Sequence, residues 1–259
     1  PLESVNTWLG FRLTNQSSRP VTRLIGFDEP QLKQADLYVA EAGGFKKIKN
    51  GLEVAYSRRH YPSRLPVFNI QLGPGQSKTL YVMANSAYPN TNVGLFISGV
   101  RDFEKEQRLR LILQSLFLGA LGALIIYNLF LFISLGERVY LFYVLHGALF
   151  SMFVFSYSGL AVLAGVSADT FHRFGGATTA SQAFFLLFTR DLLNTAKRLP
   201  RLDKGLLVLV GLILVLAGFV FADSNNYKYL VMLGMPLMML QLFLGIHAAV
   251  KGHPMGKVF

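Results

Sequence analysis

The sequence predicts an all-β, jelly-roll-like sandwich, partial in extent, followed by an all-α transmembrane helical bundle. Two observations carry this. Only 15% of the 259 residues are charged and 52% are hydrophobic, whereas an ordinary soluble domain is about a quarter charged. Mean hydropathy is accordingly positive, +0.41. The apolar excess is also uneven. Up to about Gln107, short apolar runs alternate with Gly, Pro, Asn and Ser; after Arg108 come long apolar blocks joined by short polar links. The expected division is a β domain over residues 1–100, a linker over 101–108 and a transmembrane domain over 109–259.

The β reading rests on period-two runs. "TWLGFRLTN" places Leu9, Phe11 and Leu13 on one face, and "VTRLIGF", "DLYVAE", "VFNIQL", "TLYVMAN" and "VGLFISG" have the same character. Turn signals separate them: Asn15-Gln16-Ser17-Ser18, Ala42-Gly43-Gly44, Asn50-Gly51 and Gly73-Pro74-Gly75. A strand and turn every ten residues or so, with no amphipathic helix, predicts a sandwich of jelly-roll type. Its first strands are expected upstream of Pro1, and both chain ends read as cuts in a longer protein.

Five apolar stretches approach the length of about 20 residues that crosses a bilayer: roughly 109–135, 139–165, 172–190, 205–222 and 228–250. The polar knot Gly136-Glu137-Arg138 between the first two leaves room only for a tight hairpin. Cytoplasmic links carry the excess of Lys and Arg. Arg190, Lys197, Arg198, Arg201 and Lys204 gather in the link after the third helix, while Arg173 and Lys228 stand alone in theirs. This puts the third link and the tail, with Lys251 and Lys257, inside and the β domain outside. The basic run Arg101, Lys105, Arg108, Arg110 before the first helix goes against that rule.

No helix centre carries Asp, Glu, Lys or Arg, the usual mark of an ion path. Gln114, Asn128, His146, Gln182, Gln241 and His247 are the milder polar groups, with Thr178, Thr179 and Ser181 beside Gln182. Hydrogen bonding between packed helices explains them most economically; a polar seam that transmits a signal is the sharper reading. Pro236 predicts a kink.

Cysteine is absent, which excludes disulfides and thiolate chemistry. No nucleophile elbow, P-loop, dinucleotide or zinc motif occurs, so no catalytic residue, metal site or cofactor is expected. The cations behind the net charge of +11 are dispersed over the first part and gathered in particular links of the second, which reads as ordinary surface and topology signals before nucleic acid as a partner. The ligand-binding candidates are Arg58, Arg59 and Tyr61 in the loop "AYSRRHYPSR", where cations and rings suit a sugar or an anion, and Trp8. A solvated loop and a core Trp are the plainer readings. Asp28 and Glu29 share a turn but are too few for a calcium site.

Together these segments resemble a known architecture. The run "GALGALIIYNLFLFISLGERVYLFYVLHGALF" (119–150), then "YSGLAVL" (157–163) and "FFLLFTRDLLNTAKRLPRLDKGL" (184–206), is similar to bacterial seven-transmembrane receptors with diverse intracellular signalling modules. The runs "TWLGFRLTNQSSRP", "DLYVAEAGGFKKIKNG" and "PVFNIQLGPGQSKTLYVMANS" resemble the type-two extracellular sensor domain of the same receptors. The resemblance implies a bacterial inner-membrane protein with a periplasmic sensor, similar to carbohydrate-binding jelly rolls and so suited to a saccharide. Five helices of seven would pass a signal to a cytoplasmic effector, a histidine kinase or diguanylate cyclase, leaving this chain itself without catalysis. Tyr127, Asn128, Tyr140 and Tyr143 match the family's hairpin pattern and are expected to cluster there as signal-transmission residues. The partners implied are the lipid bilayer, the ligand and the effector; the oligomeric state is open, a homodimer included. The alternative is a membrane transporter or channel with an accessory β-domain.

Overall fold

A computed structural model describes residues 6–86, 94–222 and 227–250. The tail lysines Lys251 and Lys257 lie outside the described residues. The chain divides into two compact units, residues 1–115 with 156–168, and residues 116–155 with 169–259.

Among the described residues the first unit holds seven strands: β1 (Asn6–Thr14), β2 (Val21–Phe27), β3 (Leu32–Glu41), β4 (Gly44–Asn50), β5 (Val67–Leu72), β6 (Ser77–Ser86) and β7 (Leu95–Gly99). They form two antiparallel sheets, ordered β1-β6-β3-β4 and β5-β2-β7. The period-two pattern sends Leu37, Val39, Leu80 and Val82 of one sheet into the same core as Ile25, Phe68 and Ile70 of the other. Two sheets sharing one core make a sandwich.

The strand missing from the sequence reading is β4, "GFKKIKN". It is an edge strand, and its lysines, which argue against a buried strand, are what protects an edge from further pairing. The register Ala40↔Phe45 and Tyr38↔Lys47 ties it to β3 through the hairpin at Ala42-Gly43.

The expected linker 101–108 is helical. Helix α1 (Val100–Leu135) starts directly after β7, so strand and helix join with no intervening loop. Helix α2 (Arg138–Tyr157) ends well short of residue 165. Ser158 and Gly159 break it, and a single turn, α3 (Leu160–Leu163), follows. Gly159 has φ +77°, and a Cβ there would lie 2.8 Å from Pro30 Cβ, so both backbone and space require glycine.

In the second unit, Gly136 at φ +70° closes α1, its N–H bonding the Phe132 carbonyl at 2.8 Å, and α2 begins two residues later. Helix α4 (Ala168–Leu192), a single turn α5 (Thr195–Arg198), α6 (Pro200–Ala222) and α7 (Tyr227–Val250) complete the unit, with Pro236 inside α7. Leu186, Leu206, Val210, Ile213, Leu237 and Leu244 join α4, α6 and α7 in one core. Among the described residues, α1, α2 and α6 are long and apolar enough to cross a membrane.

Several polar residues of this unit bond between helices. Ser181 Oγ lies 2.8 Å from His146 Nδ1, joining α4 to α2, and Gln241 Nε2 donates to Gln182 Oε1 at 3.5 Å. Arg190 pairs with Asp203 at 2.8 Å, and the Thr195 hydroxyl donates to the same carboxylate at 2.6 Å. This buried group ties the α4–α6 link.

Candidate functional site

The loop 56–64 opens with a single 3-10 turn, Tyr56–Arg58. Its residues part company in the structure. Arg58 is exposed. Arg59 turns inward, is 8% exposed, and donates to the carbonyls of Gly51 (2.9 Å), Ser63 (2.9 Å) and Val54 (3.3 Å). Its guanidinium organises the loop from inside instead of facing a ligand. Burial pushes its pKa down to about 10, so it stays cationic at neutral pH. We expect Arg59→Ala to destabilise the chain by about 2–4 kcal/mol, because it strands buried carbonyls. Thermal unfolding of the purified protein checks this.

Tyr61 leans the other way. Its hydroxyl donates to Glu104 Oε1 of α1 at 3.0 Å, and its ring meets Phe103 edge-on at 5.9 Å. Burial, and then the Glu104 carboxylate, raise the tyrosine pKa. Arg64, which the sequence reading left out of its candidates, is the centre of this region and only 5% exposed. Its Nε donates to Gln107 Oε1 at 3.0 Å, and Nη1 to Gln114 Oε1 at 3.2 Å and to the Ser158 carbonyl. Gln114 thus serves the β domain, not helix packing. Burial and then Arg110 lower the Arg64 pKa, with Asp28 opposing. Asp28 itself pairs with Arg110 at 3.5 Å. Phe103 is buried with Leu24, Leu65 and Val67 and stacks on Phe96 at 5.5 Å. The base of α1 is therefore built into the β domain. A signal for Arg64 did exist: it was an Arg followed at once by the apolar strand entry Leu65-Pro66-Val67.

Trp8 is not a core residue. It lies 54% exposed on the outer face of β1, its ring 5.2 Å from Tyr38. The register places Gly10 beside Tyr81 and Tyr81 beside Tyr38 across β1, β6 and β3. Phe45 meets Tyr81 edge-on at 5.6 Å, and the Lys47 ammonium sits 5.2 Å above the Tyr38 ring. A Cβ at Gly10 would come within 2.8 Å of the Tyr81 ring, so any side chain there would displace that ring. Beneath these rings Asp36 is fully buried. Its Oδ2 takes Gln34 Nε2 at 2.6 Å and Lys47 Nζ at 2.8 Å, and its Oδ1 has no hydrogen-bond partner. The Asp36 carboxylate raises the Lys47 pKa. The face combines stacking rings with fixed charge, and Trp8 alone of the sequence candidates lies on it.

The hairpin residues do not form a cluster. Tyr127 is 60% exposed, and Asn128 Nδ2 bonds the Leu124 carbonyl of its own helix at 2.8 Å. Tyr140 is half-buried, and Tyr143 packs its ring against Phe188 of α4 at 5.7 Å. The expected grouping fails because helical spacing turns Tyr127 outward while Tyr143 faces α4. Among the described residues no group of three or more metal-ligating side chains occurs.

Comparison with known proteins points one way. The family model described as "7TM diverse intracellular signalling" matches residues 110–259, and that described as "7TMR-DISM extracellular 2" matches residues 2–93. No curated protein and no solved structure matches the chain. Both matched domains are receptor and sensor domains, not catalytic ones. With an outside β-sandwich joined to membrane-spanning helices, the chain belongs to the family of seven-transmembrane receptors with diverse intracellular signalling.

Proposed function

We propose that the β-sandwich is a periplasmic sensor of jelly-roll type that binds a saccharide on the outer face of its four-stranded sheet. Binding then shifts the helices of a bacterial inner-membrane receptor. The observation that carries the coupling is the junction: β7 runs straight into α1, and Phe103 and Arg64 fix the first turns of that helix to the sandwich. Strain or order in the sheets therefore has a stiff route into the membrane. A ligand acts by its different affinity for two arrangements of that junction. Sugar rings stack through their C–H faces on Trp8 and Tyr38, and the Lys47 ammonium, held in place by the buried Asp36 carboxylate, supplies a hydroxyl partner. Tyr61 then belongs to the junction side, not the ligand face. A cytoplasmic effector, a histidine kinase or diguanylate cyclase in such receptors, reads the helices.

The test is a glycan array probed with the full chain in nanodiscs, followed by hydrogen exchange with any glycan that binds. Binding is expected to slow exchange over residues 100–114. Trp8→Ala should abolish binding with little change in melting temperature, since the ring is more than half exposed. If a glycan binds and Trp8→Ala still binds it, the site lies elsewhere. If exchange in α1 does not change, the coupling reading fails.

A further inference from the structure

The basic run before the first helix remains unexplained, because cations are expected on the inner side of a membrane and this run follows an outside domain. The structure sorts it into two kinds. Arg110 is paired, with Glu106 at 2.7 Å and Asp28 at 3.5 Å. Arg101, Lys105 and Arg108, spaced i, i+4 and i+7 along one flank of α1, are exposed. Among the described residues none of the three makes an ion pair or a hydrogen bond.

Arg108 also lines a cleft of about 460 Å³ with Tyr56, Tyr61, Phe103, Leu111 and Leu163. The carboxylate in its wall, Glu104, is held by the Tyr61 hydroxyl. The cleft is polar at Arg108 and Tyr56 and apolar at Leu111 and Leu163. The apolar run of α1 begins at Leu111, after the paired Arg110, and its most apolar window has none of its residues buried in the protein. One helical turn thus takes α1 from its basic flank at Arg108 to its apolar run.

We propose that this flank and cleft bind an anionic phospholipid of the outward-facing leaflet, with its phosphate at Arg108, Lys105 and Arg101 and its acyl chain starting along Leu111 and Leu163. A guanidinium suits phosphate because it offers paired donors, and the cleft's apolar end suits a tail, which a free anion lacks. The lipid would brace the same turns of α1 that Phe103 and Arg64 hold, so leaflet composition would bear on the junction independently of any glycan.

The experiment compares the melting temperature of the full chain in nanodiscs of phosphatidylcholine alone and mixed with phosphatidylglycerol. A higher melting temperature with phosphatidylglycerol is expected, and no difference overturns the proposal. The variant R101Q/K105Q/R108Q should lose most of the shift. These side chains are exposed and unpaired, so the fold should stand. The variant K197Q/R198Q/R201Q/K204Q, which clears the basic link between α4 and α6, should keep the shift; the reverse pattern overturns the assignment. Glycerol 3-phosphate added to phosphatidylcholine discs should give no comparable shift, and a full shift would make the ligand a soluble phosphate. Independently of stability, a photoreactive phosphatidylglycerol should label peptides spanning 104–111. Labelling confined to other segments also overturns the proposal.

Discussion

Replacing Arg64 with alanine is expected to abolish ligand-dependent output from the receptor and to cost about 3 kcal/mol of stability. The guanidinium is buried and serves three acceptors, Gln107, Gln114 and the Ser158 carbonyl. Alanine leaves all three without this donor. Arg64→Lys should recover only part of the loss, because an ammonium lacks the planar fork that reaches several acceptors at once. Thermal unfolding reads the first effect, and a reporter of effector activity in cells carrying the full-length receptor reads the second. If Arg64→Ala signals normally at wild-type abundance, the junction is not the path of the signal.

Much of this was legible in the sequence because it follows from simple periods. Alternation in "TWLGFRLTN" and "VFNIQL" marks strands, and runs such as 119–135 mark membrane helices, since each pattern has one economical burial solution. The turn at Gly136 was legible because charge cannot stay in lipid. What escaped depends on distant neighbours. The pairing of Lys47 with Asp36 joins β4 to β3 across a hairpin, and nothing local in "GFKKIKN" announces a strand whose lysines bond a buried carboxylate. Trp8 reads as core by its strand position, but the outer row built by Tyr38 and Tyr81 takes it in place of the interior. Arg59 and Arg64 look alike in the sequence, yet one staples its own loop and the other reaches α1. The helical state of the expected linker 101–108 is a related case. "RDFEKEQRLR" is polar enough to read as a loop, and only the burial of Phe103 against Leu65 and Val67 shows why helix continues there.

The second large effect is expected at Phe103 itself. Phe103→Ala removes a ring that is 4% exposed and stacked on Phe96 at 5.5 Å, with Tyr61 at its edge. Loss of such a ring costs about 3–5 kcal/mol when the cavity cannot collapse. Collapse is hindered here because Phe96 lies on β7 and Leu65 and Val67 bracket the entry to β5, all held by the sheet. The effect should be local and directional: exchange of the amides of 100–107 speeds up, while the far sheet, β1-β6-β3-β4, keeps its protection. Phe103→Leu should cost far less, since a branched aliphatic fills most of the same space. Phe130 on the same helix makes a good control, because it is 64% exposed and its alanine variant removes far less packing within the chain. If Phe103→Ala and Phe130→Ala lower the melting temperature equally, the ring is not an anchor. If Phe103→Ala loosens 100–107 but ligand response persists, α1 receives its signal through Arg64 and the Ser158 turn alone.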